Sequence, residues 1–183
     1  MSLKPEKSHD RGRKAPPEEG DVFSDVLEKV ASGIGRAVGP SGLTGAPLLQ
    51  AVTEVVQETV QGAVAGGTDL VLASKAMVLG ALRGTAEQGG AALQTLSSVA
   101  TTLVRQTADR EGDLSAATKG LILGAIAGAK AIGAETATAA ATAAKGALEG
   151  VAHAGMAAGE LVLAALKEPI GGIQVALPAS RPR

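Results

Sequence analysis

Histidine and acidic side chains are the groups in this sequence that could bind a metal ion or move a proton. His153 lies four residues after Glu149 and seven before Glu160, a spacing that would place the three side chains on one face of a single helix. Such a trio on a surface helix is usually only solvated, and the second histidine, His9, lies in a polar N-terminal segment. Two histidines and no cysteine give no triad or nucleophile with its base. We expect no catalytic residues, no metal site and no enzyme.

Glycine-rich segments could instead bind phosphate, but none has the required pattern. Gly128-Ala-Lys130 has no hydroxyl residue after its lysine and no second glycine before it, as a Walker A loop requires. Gly33 and Gly35 are not preceded by a strand pattern, as a dinucleotide-binding turn would need. A net charge of −1 gives no reason to expect nucleic acid. We expect no cofactor, no small-molecule substrate and no nucleic-acid partner.

The composition favours helices with little bulk in their core. Phe23 is the only aromatic residue of 183, and the chain has 25 glycines. Alanine, leucine, glutamate and lysine favour helix, whereas the residues that favour strands are few. The sequence therefore predicts an all-α protein. No apolar run reaches the roughly 18 residues of a membrane span, and no signal peptide is evident, so we expect a cytoplasmic protein, at most peripheral to a membrane or granule.

Proline, glycine and charge divide the chain into five segments. Stop signals at Gly66-Gly67, Gly89-Gly90 and Gly112-Asp113 divide the long fourth segment into helices, with Thr68 or Asp69 as one cap and Asp113 as the next. Glu135 to Lys167 reads as one long helix or as two hinged near Gly155. The predicted segments are a disordered polar tail (1–20), a short amphipathic helix (21–38), a linker (39–46), a repeated Ala/Gly-rich helical region (47–168) and a loose C-terminal tail (169–183).

The helical region contains a duplication. Thr68 to Gly84 and Gly112 to Gly128 match at eight of seventeen positions with an offset of 44 residues, and Leu161 to Leu166 resembles a third copy of the apolar part. Self-similarity at such a period is typical of stacked supersecondary units. We expect duplicated units of about 44 residues, packed as a helical bundle or as elongated hairpins, with disordered tails at both ends.

Glycine recurs at four-residue spacing within the predicted helices. Glycine destabilises a helix by roughly 0.5–1 kcal/mol relative to alanine, and residues four apart share a face, so closely packed backbones could offset the cost. Compositional drift in a low-complexity chain is the alternative explanation. The predicted helix-packing positions are Gly62, Gly66, Gly80, Gly84, Gly120, Gly124, Gly128, Gly146 and Gly150, with a further pair at Gly155 and Gly159.

One predicted helix is apolar on nearly every side. Its apolar face comprises Leu121, Ile122, Ile126 and Ile132. Only ten residues separate Lys119 from Lys130, which is about half the length that crosses a bilayer core. Burial in a bundle or an oligomer is the simpler interpretation.

The repeated Lys-x-x-[Val/Ile]-Leu-Gly-Ala-[Leu/Ile]-x-Gly units and the closing Leu166-Lys167-Glu168-Pro169 resemble a family of bacterial Ala/Gly-rich helical proteins, defined by a domain of unknown function. The likeness covers roughly Leu48 to Val175 and implies no activity. The composition is more loosely similar to phasins and to late-embryogenesis-abundant proteins, although the mean hydropathy of +0.22 is higher than is typical of the latter.

From these features we expect a non-enzymatic helical protein that forms a homo-oligomer through its Gly/Ala faces. Its Leu/Val/Ile faces would coat an apolar surface, such as a membrane interface or a storage granule. One alternative is a homo-oligomeric scaffold bundle with no lipid role. Another is a stress protectant that becomes helical only on drying or crowding.

Overall fold

The computed structural model describes residues 19–38, 46–86 and 92–175. The elements found there are helices, apart from one isolated bridge between Ile170 and Ile173, so the predicted all-α class is confirmed. The helices are α1 (Glu19–Val38), α2 (Ala46–Ala65), α3 (Leu70–Ala86), α4 (Ala92–Asp109), α5 (Leu114–Ile132), α6 (Thr136–Val151) and α7 (Met156–Lys167).

The helices form a two-layer bundle. The odd-numbered helices α1, α3, α5 and α7 lie side by side in one layer, and the even-numbered helices α2, α4 and α6 form the other. Each even-numbered helix also packs against the helices that precede and follow it in sequence. Consecutive helices are therefore in different layers, and helices two apart are neighbours in the same layer.

The 44-residue duplication corresponds to one helix hairpin. Leu70 and Leu114 begin α3 and α5, and Ala92 and Thr136 begin α4 and α6, so both pairs of starts are 44 residues apart. Helix α7, which contains the third copy of the apolar segment, takes the next position in the odd-numbered layer, beside α5. The layers are thus built by stacking similar hairpins.

The predicted caps form at the starts of α3 and α5. The Asp69 carboxylate accepts a hydrogen bond from the backbone N–H of Val71 at 2.7 Å, and the Asp113 carboxylate accepts one from Ala116 at 2.9 Å. Each satisfies a backbone donor that the first turn of a helix leaves unpaired.

The sequence predicted either one long helix or two hinged helices for residues 135–167, and the structure has two. The break contains Gly155, whose φ of 92° is a backbone conformation that other residues rarely adopt. Helix α6 ends before it and α7 begins directly after it.

Small side chains fill much of the core. Alanines of α6 are buried along its length, while the bulk comes from scattered larger residues such as Ile34, Met77, Leu103 and Leu121, each at most 2% exposed. Four buried threonines, Thr59, Thr85, Thr107 and Thr118, donate their hydroxyls to carbonyls of their own helix: Thr118, for example, donates to the carbonyl of Leu114 at 2.7 Å. The hydroxyl is thereby satisfied without a partner from a neighbouring helix.

Three predicted segments differ from the structure or lie partly outside it. Helix α1 begins two residues before the predicted position 21, and α2 begins at Ala46, inside the predicted linker 39–46. The predicted disorder of residues 1–20 falls mainly on residues 1–18, which lie outside the described residues, as do 39–45 and 176–183.

Residues 169–175, the described part of the predicted loose tail, pack against the bundle. Ile170 and Val175 are both 5% exposed. The backbone N–H of each of Ile170 and Ile173 donates to the carbonyl of the other at 3.0 Å, across Gly171 and Gly172, whose φ values are positive. These glycines form a turn that brings the segment against α5, whereas the sequence placed them only in the tail.

Candidate functional site

The three residues with metal-like spacing do not lie on one helix. Glu149 belongs to α6, His153 lies in the break after it, and Glu160 belongs to α7. The shared face that their spacing allows would require an unbroken helix through Gly155, and the chain breaks there. Among the described residues, no group of three or more histidine and acidic side chains is placed to hold a metal ion. His9 lies outside the described residues.

Two surface cavities lie on the described part of the bundle. One, of about 190 Å³, lies between α1 and α2 and is lined by apolar Val22, Val26 and Ala63 with charged residues at its rim. That volume is below the roughly 300 Å³ at which small-molecule pockets begin. The other, of about 380 Å³, adjoins the starts of α3 and α5, where Asp69 and Asp113 already cap helices. Neither cavity brings together groups suited to chemistry.

The equivalent lysines of the two repeat units have structural partners. The Lys75 ammonium lies 5.6 Å from the centre of the Phe23 ring, within the range of a cation–π contact. Lys119 pairs with Glu168 at 3.1 Å, and both side chains are largely exposed. Exposed pairs of this kind contribute at most about 1 kcal/mol.

Close helix contact at glycine is the most distinctive geometry in the molecule, and it is tightest between α3 and α5. A Cβ atom built on Gly124 would lie 2.8 Å from both the Lys75 carbonyl oxygen and the Val78 Cβ. Gly120 faces the carbonyl of Val71, and Gly128 faces the side chain of Leu82. The contacts advance along both helices in the same direction, so α3 and α5 are parallel.

The pair α1 and α3 repeats this arrangement. A Cβ on Gly80 would lie 2.7 Å from the carbonyl oxygen of Leu27, and one on Gly84 would lie 3.0 Å from that of Ala31. Gly80 is the repeat equivalent of Gly124, so the same repeat position makes a close contact in both pairs of helices.

The even-numbered layer uses glycine between α4 and α6. A Cβ on Gly146 would lie 2.7 Å from the Ser97 carbonyl oxygen, and one on Gly150 would lie 2.6 Å from that of Thr101. The approach also brings the Thr101 hydroxyl within reach of two acceptors, the carbonyl oxygen of Ser97 in its own helix at 3.0 Å and that of Gly146 in α6 at 3.1 Å. Sequence reasoning did not single out Thr101, since serines and threonines are frequent along α4.

Two of the predicted packing glycines make no such contact within the chain. A Cβ on Gly62 would meet nothing within 4 Å, and one on Gly66 would approach the carbonyl of Gly62 in the same segment and the hydroxyl of Thr68. Gly155 and Gly159 are also free of neighbours. Glycine spacing alone does not distinguish these positions from those at helix contacts.

The predicted apolar face of α5 lies inside the bundle. Leu121 and Ile122 are fully buried, Ile126 is 5% exposed and Ile132 is partly buried. Burial in a bundle or an oligomer was the simpler interpretation of this helix, and its apolar face packs within the bundle. In this fold the first three side chains do not reach an external surface.

Exposed apolar surface is concentrated on α7. In the described part of the chain, the large apolar side chains that are substantially exposed are Leu93 on α4 and three residues of α7, which are Met156, Leu161 and Leu163. The sequence showed the apolar run of α7 but not which side of it would be covered. No helix within the described ranges is long and apolar enough to cross a membrane.

We compared the chain with protein-family models, curated proteins and solved structures, and found no match in any of the three. The resemblance to the bacterial Ala/Gly-rich family therefore stays a prediction.

Proposed function

We propose that this protein is a non-enzymatic helical scaffold that self-associates while its repeats stay folded as a bundle. The observation that supports a folded scaffold is that glycines lie at close contacts between helices of the same chain, at α1–α3, α3–α5 and α4–α6, so that the bundle closes within one chain and self-association is left to its exposed surface. A backbone packed this closely is suited to a rigid body with fixed surfaces. Scaffolds need such surfaces, whereas catalysis needs convergent polar groups.

We infer a scaffold instead of a protein whose core side chains coat an apolar surface. Leu121, Ile122 and Ile126 are the side chains that such a coat would use, and all three are buried. Exposing a large aliphatic side chain to water costs roughly 1.5–3 kcal/mol. The bundle would have to open against that cost before its core faces reached a lipid.

A second candidate uses the surface as it stands. Met156 and Leu161 are 87% and 51% exposed, so α7 could contact a membrane interface or a storage granule with the bundle closed. This candidate would place the protein in the cytoplasm, peripheral to that surface. The charges on the exposed side of α7 are mixed, with Glu160 and Lys167, and give no general attraction to anionic lipid.

Far-UV circular dichroism with and without anionic vesicles, together with light scattering after size exclusion, tests the proposal. The scaffold predicts full helicity in buffer, a discrete oligomer and no change with vesicles. Helicity that rises with vesicles would contradict it and favour a coat formed by an opened bundle. Weak helicity in buffer that increases on drying would favour the stress-protectant alternative. Co-flotation with vesicles at unchanged helicity would favour the second candidate.

A further inference from the structure

We propose that the exposed side of α7 binds α7 of a second copy of this chain, antiparallel, around a two-fold axis near Leu163 and Ala164. This inference rests on the proposed self-association and names the surface that carries it. The surface, called the α7 face below, consists of Met156, Ala157, Glu160, Leu161, Leu163, Ala164 and Lys167, all exposed.

The α7 face is the uncovered end of a stacked layer. Helices α3 and α5 each have a neighbour on both sides within the odd-numbered layer, whereas α7 has only α5. Helix α7 turns Val162 and Leu166 inward, and both are fully buried, but Leu161 on the opposite side is 51% exposed. A stack of repeats that ends in an apolar helix face has room for one more element.

The opposite end of the same layer is closed by polar residues. Every exposed side chain described on α1 is polar or charged, as expected for a terminal helix that faces water. Covering the α7 face with α1 of another copy would require these groups to lose their water. A head-to-tail chain of copies is therefore disfavoured, and a two-fold pair of α7 faces is favoured. The exposed side chains of α1 are Asp21, Ser24, Asp25, Glu28, Lys29, Ser32 and Arg36.

The charges of the α7 face complement themselves in an antiparallel pair. Glu160 and Lys167 are seven residues apart, about two turns, so they share one side of the helix. Neither has an ion-pair partner among the described residues. A two-fold axis midway between them places Glu160 of each copy opposite Lys167 of the other. A parallel pair would oppose like charges, which is unfavourable.

The same axis brings the apolar groups together. Leu163 lies next to the axis and would meet the Leu163 side chain of the other copy, with Met156 along the same flank. Ala157 and Ala164 on the same face are small, which lets the two helices approach closely between the larger side chains. A 12-residue helix is only about 18 Å long. The contact is small, and we expect a dimer with Kd on the order of micromolar.

Sedimentation velocity of the full chain over a range of concentrations tests the proposal, with a charge swap as the decisive comparison. Glu160→Lys and Lys167→Glu should each raise the dimer Kd by about tenfold or more, because like charges then face each other. The double variant should restore dimerisation. Leu163→Glu should abolish it, and Leu93→Glu on α4 is the matched control that should leave it unchanged. All these side chains are exposed, so circular dichroism should show the wild-type fold.

Three outcomes would overturn the proposal. A discrete oligomer that none of the α7 variants affects would refute this surface while leaving self-association intact. A charge swap that fails to restore the dimer would refute the antiparallel pairing. A monomer at every concentration would refute both this inference and the proposed self-association. If that monomer bound anionic vesicles and Leu163→Glu abolished the binding, the α7 face would be a lipid contact instead.

Discussion

Replacing Gly124 with alanine tests whether the close approach of α3 and α5 is a real constraint on the fold. The new Cβ would lie 2.8 Å from the Val78 Cβ and 2.8 Å from the Lys75 carbonyl oxygen. Two carbon atoms are most stable about 3.5–4.0 Å apart, so the helices must separate by about 0.7 Å. A gap of 0.5–1 Å forfeits a quarter to a half of the dispersion energy of the contacts that it opens.

Two opposing terms set the size of the effect. Alanine in place of glycine favours the helix by about 0.5–1 kcal/mol, and overpacking a well-packed contact costs about 1–3 kcal/mol. We expect Gly124→Ala to lower the free energy of unfolding by about 0.5–2 kcal/mol. Gly62→Ala is the matched control, because a Cβ there meets nothing within 4 Å. It should raise the free energy of unfolding by up to about 1 kcal/mol.

Urea unfolding followed by far-UV circular dichroism measures both variants, since the chain has no tryptophan or tyrosine to report by fluorescence. Because both substitutions share the same gain in helix propensity, their difference isolates the steric cost. In thermal unfolding each kcal/mol corresponds to a shift in Tm of roughly 2–4 °C at this chain length. If Gly124→Ala were as stable as Gly62→Ala, the contact between α3 and α5 would not be as close as described.

Four further substitutions test the core, the surface of α4 and the contact between α4 and α6. Leu121→Ala should cost about 2–5 kcal/mol in urea unfolding because the side chain is fully buried, whereas Leu93→Ala, at a side chain 42% exposed, should change stability by less than about 0.5 kcal/mol. Ser74→Ala should stabilise the protein by about 1 kcal/mol, because the buried hydroxyl has no hydrogen-bond partner; a loss of stability would indicate that it is satisfied. Thr101→Val should cost about 1 kcal/mol by removing the hydroxyl that donates to the carbonyls of Ser97 and Gly146, and an unchanged melting curve would mean that this hydrogen bonding contributes nothing.

Local sequence signals were sufficient to predict most of the helices. Asp69 and Asp113 are followed by helices whose first turns they cap, and Gly66-Gly67 and Gly112 mark breaks. These features act over a few residues, so they can be read without knowing what packs nearby. The turn at Gly171 and Gly172 was not predicted, because what stabilises it is the packing of Ile170 and Val175 against the bundle. That packing is a tertiary contact, which local sequence signals do not show.

The glycine positions also separate what local sequence signals predict from what tertiary contacts decide. Four-residue spacing indicated faces that could be approached closely, and it was equally strong at Gly62 and at Gly124. Only the folded chain separates them, because Gly124 faces the backbone of α3 while Gly62 faces open space. A periodic pattern shows which residues share a face of a helix, but it does not contain the identity of the neighbour.

The sequence by itself determined that the chain is helical, that its units recur every 44 residues and that it carries no recognisable catalytic motif. The tertiary structure alone decided that the units stack as hairpins in two layers, that Gly80 and Gly124 meet the backbones of α1 and α3, and that Leu121 and Ile122 face inward while Leu161 faces out. The physical reason is the distance along the chain over which each effect acts. Propensity, capping and periodicity act within about one turn of the chain, whereas register and burial depend on which distant surfaces meet.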